Sequence, residues 1–289
     1  MIHRYILFND QIRDSTEKLL TAGQVGLLAG WGVFSTLRVA DGVLFAFERH
    51  WARMCKDAAL FRVPMPCNEE EGRRRLLALV EANKAYNASL RVDVVRNDGS
   101  PYGGPVERRS ELIAMTANLK QWGSGVKLAY VPQARHAASM FAGTKILSWA
   151  MNLTWLETAQ ARGFDEVILL NERGEVAECT AANIFCAREG RVLTPPLSSG
   201  CLEGVTRGIL LEIGMKAGVP VEERTLRPED LYSADEVLLS STNRNLLAAG
   251  EIAGHRIAKA PGPMAKRLDE AFDAFVRSYI SAHASAARH

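Results

Sequence analysis

Residues 164–185 read FDEVILLNERGEVAECTAANIF. Apolar residues flank a polar turn, Asn171 to Gly174, so the segment predicts two strands joined as a hairpin. Glu178 interrupts the second strand among core-like neighbours, Val176, Ile184 and Phe185. A carboxylate there costs free energy unless a cation or hydrogen-bond donors accompany it.

Upstream, SMFAGTKILSWAMN (139–152) carries Lys145 among small and apolar residues, just before a helix predicted over 147–162 and stopped by Gly163. Desolvation disfavours the ammonium form and makes such an amine a usable nucleophile. Downstream, GCLEGVTRGILLEIG (200–214) starts a helix at Gly204-Val205-Thr206. Unpaired N–H groups and the helix dipole favour a phosphate there, and Thr206 adds a hydroxyl. Alone, a lysine at a helix start is more often solvated, a hairpin glutamate more often stands in water, and a threonine at this place is more often a cap. Together and in this order they are what a chain needs to hold pyridoxal 5′-phosphate: an amine for its aldehyde, a carboxylate for its ring nitrogen and a cradle for its phosphate.

Around these segments strands and amphipathic helices alternate, without internal repeats or low-complexity tracts. The chain is therefore α/β or α+β. GVFSTLRVADGVLFAF (32–47) predicts two strands turning at Asp41-Gly42. Helices follow over 48–61 and 69–84, then strands at 90–95 and 111–117 separated by the turn-rich NDGSPYGGP. The glycines and polar residues of LKQWGSG (119–125) change the rhythm and read as a linker. They divide a first domain, 1–119, from a second, 127–289, that holds Lys145, with the linker at 120–126. A further strand near 236–240 and a long terminal helix over GPMAKRLDEAFDAFVRSYI complete the second domain.

A chain of 289 residues with 47% hydrophobic and 24% charged residues has ample core for two domains. Its net charge of +2, with acids and bases interspersed, argues for a small-molecule substrate rather than nucleic acid or a membrane surface. Five cysteines form no Cys-x-x-Cys pair and no zinc-like cluster, and the apolar run in MIHRYILFND is too short for a signal segment. The expectation is a cytoplasmic protein with reduced thiols and no metal. The small, polar C-terminal SAHASAARH is expected to fray. No Walker loop, His-Glu-x-x-His or Gly-x-Ser-x-Gly motif is present.

Two further segments could serve the same cofactor. Arg53, in His50-x-x-Arg53, could pair with a phosphate dianion, while His50 reads as a packing or capping residue. SSTNRN (240–245) ends a strand with hydroxyls and N–H groups suited to a phosphate or a carboxylate.

These residues together resemble the class IV aminotransferases, the fold-type-IV pyridoxal phosphate enzymes that include branched-chain aminotransferase, D-amino acid aminotransferase and 4-amino-4-deoxychorismate lyase. The resemblance rests on GVF-x-T-x-RV (32–39), ERHWARM (48–54), Gly143-Thr144-Lys145, ECTAANIF (178–185), TPPLSSGCLEGVTR (194–207) and SSTN (240–243). It implies a two-domain α/β subunit of the D-amino acid aminotransferase type, a cofactor cleft between the domains and a homodimer. By matching position, Lys145 is implied as the Schiff-base lysine and Glu178 as the partner of the ring nitrogen. Arg53, Val205, Thr206 and Thr242 are implied as the phosphate grip. Asn243 lies where the family's backbone meets the substrate carboxylate, and Arg91 and Arg96 are further candidates for that group.

Two departures bear on the reaction. Typical transferases of this family read Val-Phe-Glu where this chain has Ser35, and branched-chain enzymes place a tyrosine where it has Ala150. Both changes lean towards the lyase, in which a catalytic Ser35 would donate a proton. Against it, RNDGSPYGG (96–104) lacks the Arg-Gly-x-Gly-Gly-Arg-Gly-Tyr pattern of enterobacterial-type lyases. The first expectation is therefore transfer of an amino group between an amino acid and a 2-oxo acid. The alternatives are release of pyruvate and 4-aminobenzoate from aminodeoxychorismate, and a non-catalytic protein that binds pyridoxal phosphate.

Overall fold

A computed structural model describes residues 1–21, 23–99, 105–123 and 125–284. Most of the turn-rich loop, residues 100–104, and the last residues of the tail expected to fray, 285–289, lie outside the described residues. The chain forms two compact units. One comprises Met1–Lys120, Lys145–Trp149 and Val276–His289, and the other Gln121–Thr144 and Ala150–Phe275.

The first unit begins with β1 (Ile2–Phe8), β2 (Gln11–Asp14) and the short α1 (Val25–Ala29). It continues with β3 (Gly32–Ala40), β4 (Val43–Leu44), α2 (Phe47–Leu60), α3 (Glu69–Asn83), β5 (Ala88–Arg96) and β6 (Ser110–Ala117). The strands form one antiparallel sheet in the order β2-β1-β6-β5-β3-β4. As expected, β3 and β4 turn at Asp41-Gly42, whose φ values of 49° and 79° suit the tight primed turn that matches strand twist. Asn68 caps α3 by accepting the Glu71 N–H at 2.9 Å, and three glutamates follow in the first turn, where the dipole favours them. Alternation along β3 sends Val33, Leu37 and Val39 into one core with Phe47, Trp51 and Met54 of α2 and Leu76 and Leu79 of α3. Ser35 belongs to that same inward row and is fully buried.

Lys145–Trp149 groups with the first unit, where the sequence predicts a helix of the second. The backbone explains the difference. Lys145 C=O accepts the Phe34 N–H, the Leu147 N–H bonds the Gly32 C=O, both at 3.0 Å, and Ile146 bridges antiparallel to Val33. Groups spent on β3 are not available to a helix.

The second unit opens with β7 (Val126–Arg135). It then runs through α4 (Ala150–Ala161), β8 (Glu166–Asn171), β9 (Val176–Cys179), β10 (Asn183–Arg188) and β11 (Arg191–Thr194). Next come α5 (Val205–Gly214), β12 (Val221–Glu223), α6 (Pro228–Tyr232), β13 (Glu236–Ser241), β14 (Asn245–Ile252) and β15 (His255–Arg256). Helix α7 (Pro263–His283) starts in this unit and from Val276 onward belongs to the first. The mixed sheet runs β12-β11-β10-β13-β14-β7-β8-β9, with β15 on β14. β7 and β8 are parallel and joined through α4, whose Ala159 and Trp155 pack on Ala129, Val167 and Leu169. FDEVILLNERGEVAECTAANIF proves to be a hairpin and the start of another pairing. β8 and β9 are antiparallel with Leu169 opposite Glu178, and after a break at Thr180–Ala182 the chain resumes as β10 against β13 and β11.

All five cysteines are free. Burial pushes the Cys186 and Cys201 thiols up to about 12 and holds Cys179 well above the usual thiol range, while Cys55 and Cys67 are only half-buried. The thiolate is the reactive species. Ellman titration at pH 8 is therefore expected to find only Cys55 and Cys67 in the native protein, reacting slowly, and all five after denaturation. Rapid release of more than two equivalents from native protein would contradict this burial.

Candidate functional site

In the first unit Lys145 is fixed at both ends of its peptide. Its N–H donates to Asp57 Oδ2 at 3.1 Å, and its C=O takes the Phe34 N–H. Its Nζ lies 4.4 Å from the Phe34 ring centroid and 4.8 Å from that of Trp149, and the two rings meet edge to face at 5.4 Å. The amine thus stands against aromatic walls, a contact that favours a cation near the ring faces. Burial pushes the Asp57 carboxyl up, against the pull of the Lys145 N–H and the Arg53 charge.

On the helix-facing side of β3, Ser35 Oγ lies 2.9 Å from His50 Nδ1 and receives Arg53 Nη2 at 2.9 Å. All three residues are buried. Burial, and then the charges of Arg53 and Lys145, hold the His50 imidazole well below its usual range, so the ring is neutral.

Arg91 and Arg96 separate in character. Arg91 Nε donates to both Asp93 oxygens, at 2.9 and 3.1 Å, and its guanidinium carbon lies 4.0 Å from the centroid of Phe34, the ring that also meets Lys145. With 39% of its side chain exposed, Arg91 retains donors for an anion. Arg96 is spent on structure: it bonds Asp98 and the Arg62 carbonyl, and stacks on Trp31 at 4.0 Å.

In the second unit Glu178 lies on β9, one residue before its end, with both oxygens engaged. Arg135 Nε reaches Oε1 at 2.9 Å and the Leu202 N–H reaches Oε2 at 3.0 Å. Asn152, from the first turn of α4, accepts the Arg135 guanidinium through Oδ1 and gives its own N–H to the Thr180 carbonyl at 2.7 Å. The cation demanded by a buried glutamate is therefore Arg135, which the sequence does not announce. An ionised carboxylate has about four lone-pair sites, so Glu178 keeps capacity for another donor.

Leu202 ties that carboxylate to the start of α5. Its C=O accepts Asn183 Nδ2 at 2.9 Å, two residues before Gly204. Gly204 is the N-cap of α5 and no side chain caps it, which leaves the first-turn N–H groups of Val205 and Thr206 available to an anion. A Cβ on Gly204 would overlap Asn183 Oδ1. Gly204→Ala is accordingly expected to cost about 1–3 kcal/mol, measured as a lowered thermal midpoint, because it overpacks this contact. A midpoint equal to that of the parent chain would show that the loop relaxes freely.

Thr242 and Asn243 lie in the turn between β13 and β14, closed by the Arg244 N–H on the Ser241 carbonyl at 3.1 Å. The Asn243 carbonyl accepts Trp122 Nε1 at 3.1 Å. Arg244 pins the turn from behind, bonding Glu166 at 2.7 Å and the Ala181 carbonyl at 2.8 Å. Two groups result: Ser35, Arg53, Arg91 and Lys145 in the first unit, and Glu178, Val205, Thr206, Thr242 and Asn243 in the second. Sequence reading missed Arg135, Asn152, Asp57, Trp149 and Asn183, whose roles depend on partners distant along the chain. Among the described residues no cluster of His, Cys, Asp or Glu is arranged for a metal ion, and no helix is long and apolar enough to cross a membrane.

A family model described as amino-transferase class IV matches residues 32–252. A D-alanine aminotransferase of Bacillus licheniformis is 27% identical over 286 residues, covering 92% of this chain and 95% of that protein. A branched-chain-amino-acid aminotransferase of Pseudomonas aeruginosa is 27% identical over 293 residues, covering 95% and 92%. Among solved structures, a branched-chain aminotransferase of Thermoproteus uzoniensis with norvaline superposes with a TM-score of 0.86 at 25% identity, covering 96% of this chain and 98% of that one.

Proposed function

Because the chain belongs to the class IV aminotransferase family, we propose that it moves an amino group between a branched-chain amino acid and a 2-oxo acid with pyridoxal 5′-phosphate as cofactor. The observation that carries the reading is the setting of Lys145, with its peptide held by Asp57 and Phe34 and its amine against Phe34 and Trp149. A solvated surface lysine has no use for such fixation.

The residues suit the cofactor in charge and donor type. In the first unit the Arg53 guanidinium suits a phosphate dianion, and in the second the uncapped start of α5 and Thr242 suit the same group. Glu178 suits a protonated ring nitrogen. When bound, pyridoxal phosphate supplies an electron sink for charge at the substrate Cα and carries the amino group between two half-reactions. Lys145 Nζ would serve as the base that takes the substrate Cα proton and as the acid that gives it back. Glu178 holds the proton on the ring nitrogen, and Arg135 and the Leu202 N–H hold Glu178. For the substrate carboxylate the first unit offers Arg91 and the second Asn243, and Phe34 and Trp149 offer apolar surface to an aliphatic side chain. A second copy of the chain belongs to this reading, supported by exposed Met140, Phe141, Met151 and Leu153, as does a cytoplasmic setting, supported by free thiols.

The lyase reading needs Ser35 as a proton donor. Its hydroxyl is fully buried and already shared between His50 and Arg53, which counts against that role. The deciding experiment incubates purified protein with L- and D-amino acids plus 2-oxoglutarate and, separately, with aminodeoxychorismate. Glutamate formed from leucine, isoleucine or valine is expected. Pyruvate with 4-aminobenzoate would replace this reading with the lyase, and no turnover with any substrate would leave a cofactor-binding protein without catalysis.

A further inference from the structure

The row Val33, Leu37 and Val39 of β3 packs on α2 and α3, and one polar residue, Ser35, stands in it. A buried hydroxyl in such a row needs partners, and both of its partners come from one helix. His50 and Arg53 lie a turn apart on α2, as residues three apart do, and both meet Ser35 Oγ at 2.9 Å. The directions of these bonds follow from chemistry. A guanidinium has only donors, so Ser35 accepts from Arg53, while the tautomer of His50 decides whether Nδ1 accepts the hydroxyl proton or donates its own. Alternation also sets Ser35 on the opposite side of β3 from Phe34, the ring that Lys145 Nζ contacts. The hydroxyl thus stands on the face of β3 away from Phe34 and is engaged by both His50 and Arg53.

We propose that Ser35 is a positioning residue, which with His50 fixes the Arg53 guanidinium in the orientation that receives the cofactor phosphate. The inference rests on the reading of Arg53 as a phosphate ligand. It recasts a residue that the family resemblance offers as a proton donor. A preset guanidinium binds its anion without first ordering a long side chain, so the effect belongs to the phosphate and not to the pyridine ring.

The test titrates the full chain, stripped of cofactor, with pyridoxal 5′-phosphate and in parallel with unphosphorylated pyridoxal, following bound cofactor by its visible absorbance. Ser35→Ala, the near-isosteric Ser35→Cys and the hydroxyl-retaining Ser35→Thr are compared with Arg53→Gln. Ser35→Ala and Ser35→Cys are expected to weaken the phosphorylated ligand about tenfold, as loss of a hydrogen bond to a charged group does, and to change pyridoxal less than about twofold. Ser35→Thr is expected to restore most of the affinity. Equal weakening of both ligands would reduce Ser35 to a packing residue and overturn the proposal. So would unchanged affinity in Ser35→Cys while Arg53→Gln loosens the phosphorylated ligand. If Arg53→Gln itself leaves the preference for the phosphorylated ligand intact, the assignment of Arg53 fails instead. A proton-donor role would appear as unchanged cofactor affinity with loss of pyruvate release, which also overturns the proposal.

Discussion

Lys145→Ala is expected to lower the rate of amino-group transfer by about a thousandfold or more, the scale of a positioned acid–base group, with the fold intact. The second half of that statement is as important as the first. The bonds that hold this segment on β3 and on Asp57 are made by the Lys145 N–H and C=O, and alanine keeps both. What disappears is the amine and its contact with the Phe34 and Trp149 rings, at an only partly buried position. The thermal midpoint should therefore move little while turnover collapses. Borohydride reduction of the holoprotein should attach the cofactor to the tryptic peptide containing Lys145 in the parent chain, and to no peptide in the variant. A small primary amine in the buffer should return a fraction of the activity, because it can carry the proton the side chain no longer carries. A variant that keeps more than about a tenth of the parent rate would remove Lys145 from the chemistry.

Much of this centre can be read along the chain, and the reasons are local. The Asp41-Gly42 turn, the α2 and α3 periodicities and the uncapped start of α5 are each fixed by a few adjacent residues, so the sequence carries them. The pairing of residues 145–149 with β3 is different. ILSWA satisfies a helical pattern as well as an extended one, and the choice falls to backbone partners at Gly32 and Phe34, more than a hundred positions away. The Arg135–Glu178 pair is hidden for a related reason. It depends on the order β7-β8-β9 and on the register that sets Leu169 opposite Glu178, neither of which residue types reveal. Ser35 is intermediate. Its polar side chain in the alternating row of Val33, Leu37 and Val39 marks a buried hydroxyl that needs partners, and His50-x-x-Arg53 on the next helix was there to supply them.

Glu178→Gln should reduce transfer about a hundredfold to a thousandfold and also destabilise the protein, and the two effects have different causes. Glutamate offers an oxygen to Arg135 and another to the Leu202 N–H. Glutamine has one oxygen, so its amide must turn an N–H towards one of these donors. The Arg135 side chain, only 17% exposed, is left with the Asn152 amide and the Ala134 carbonyl in place of a charge. A buried cation that loses its counter-charge costs about 3–5 kcal/mol, which calorimetry would register as a clear fall in midpoint. The loss of activity has another origin, since a neutral amide does not hold a proton on the ring nitrogen. Adding Arg135→Met separates the two. The double variant removes the stranded charge and the donor conflict on that side, so stability should largely return while turnover stays low. If turnover recovered together with stability, Glu178 would be a structural ion-pair partner only, and its place beside the cofactor ring would have to be given up.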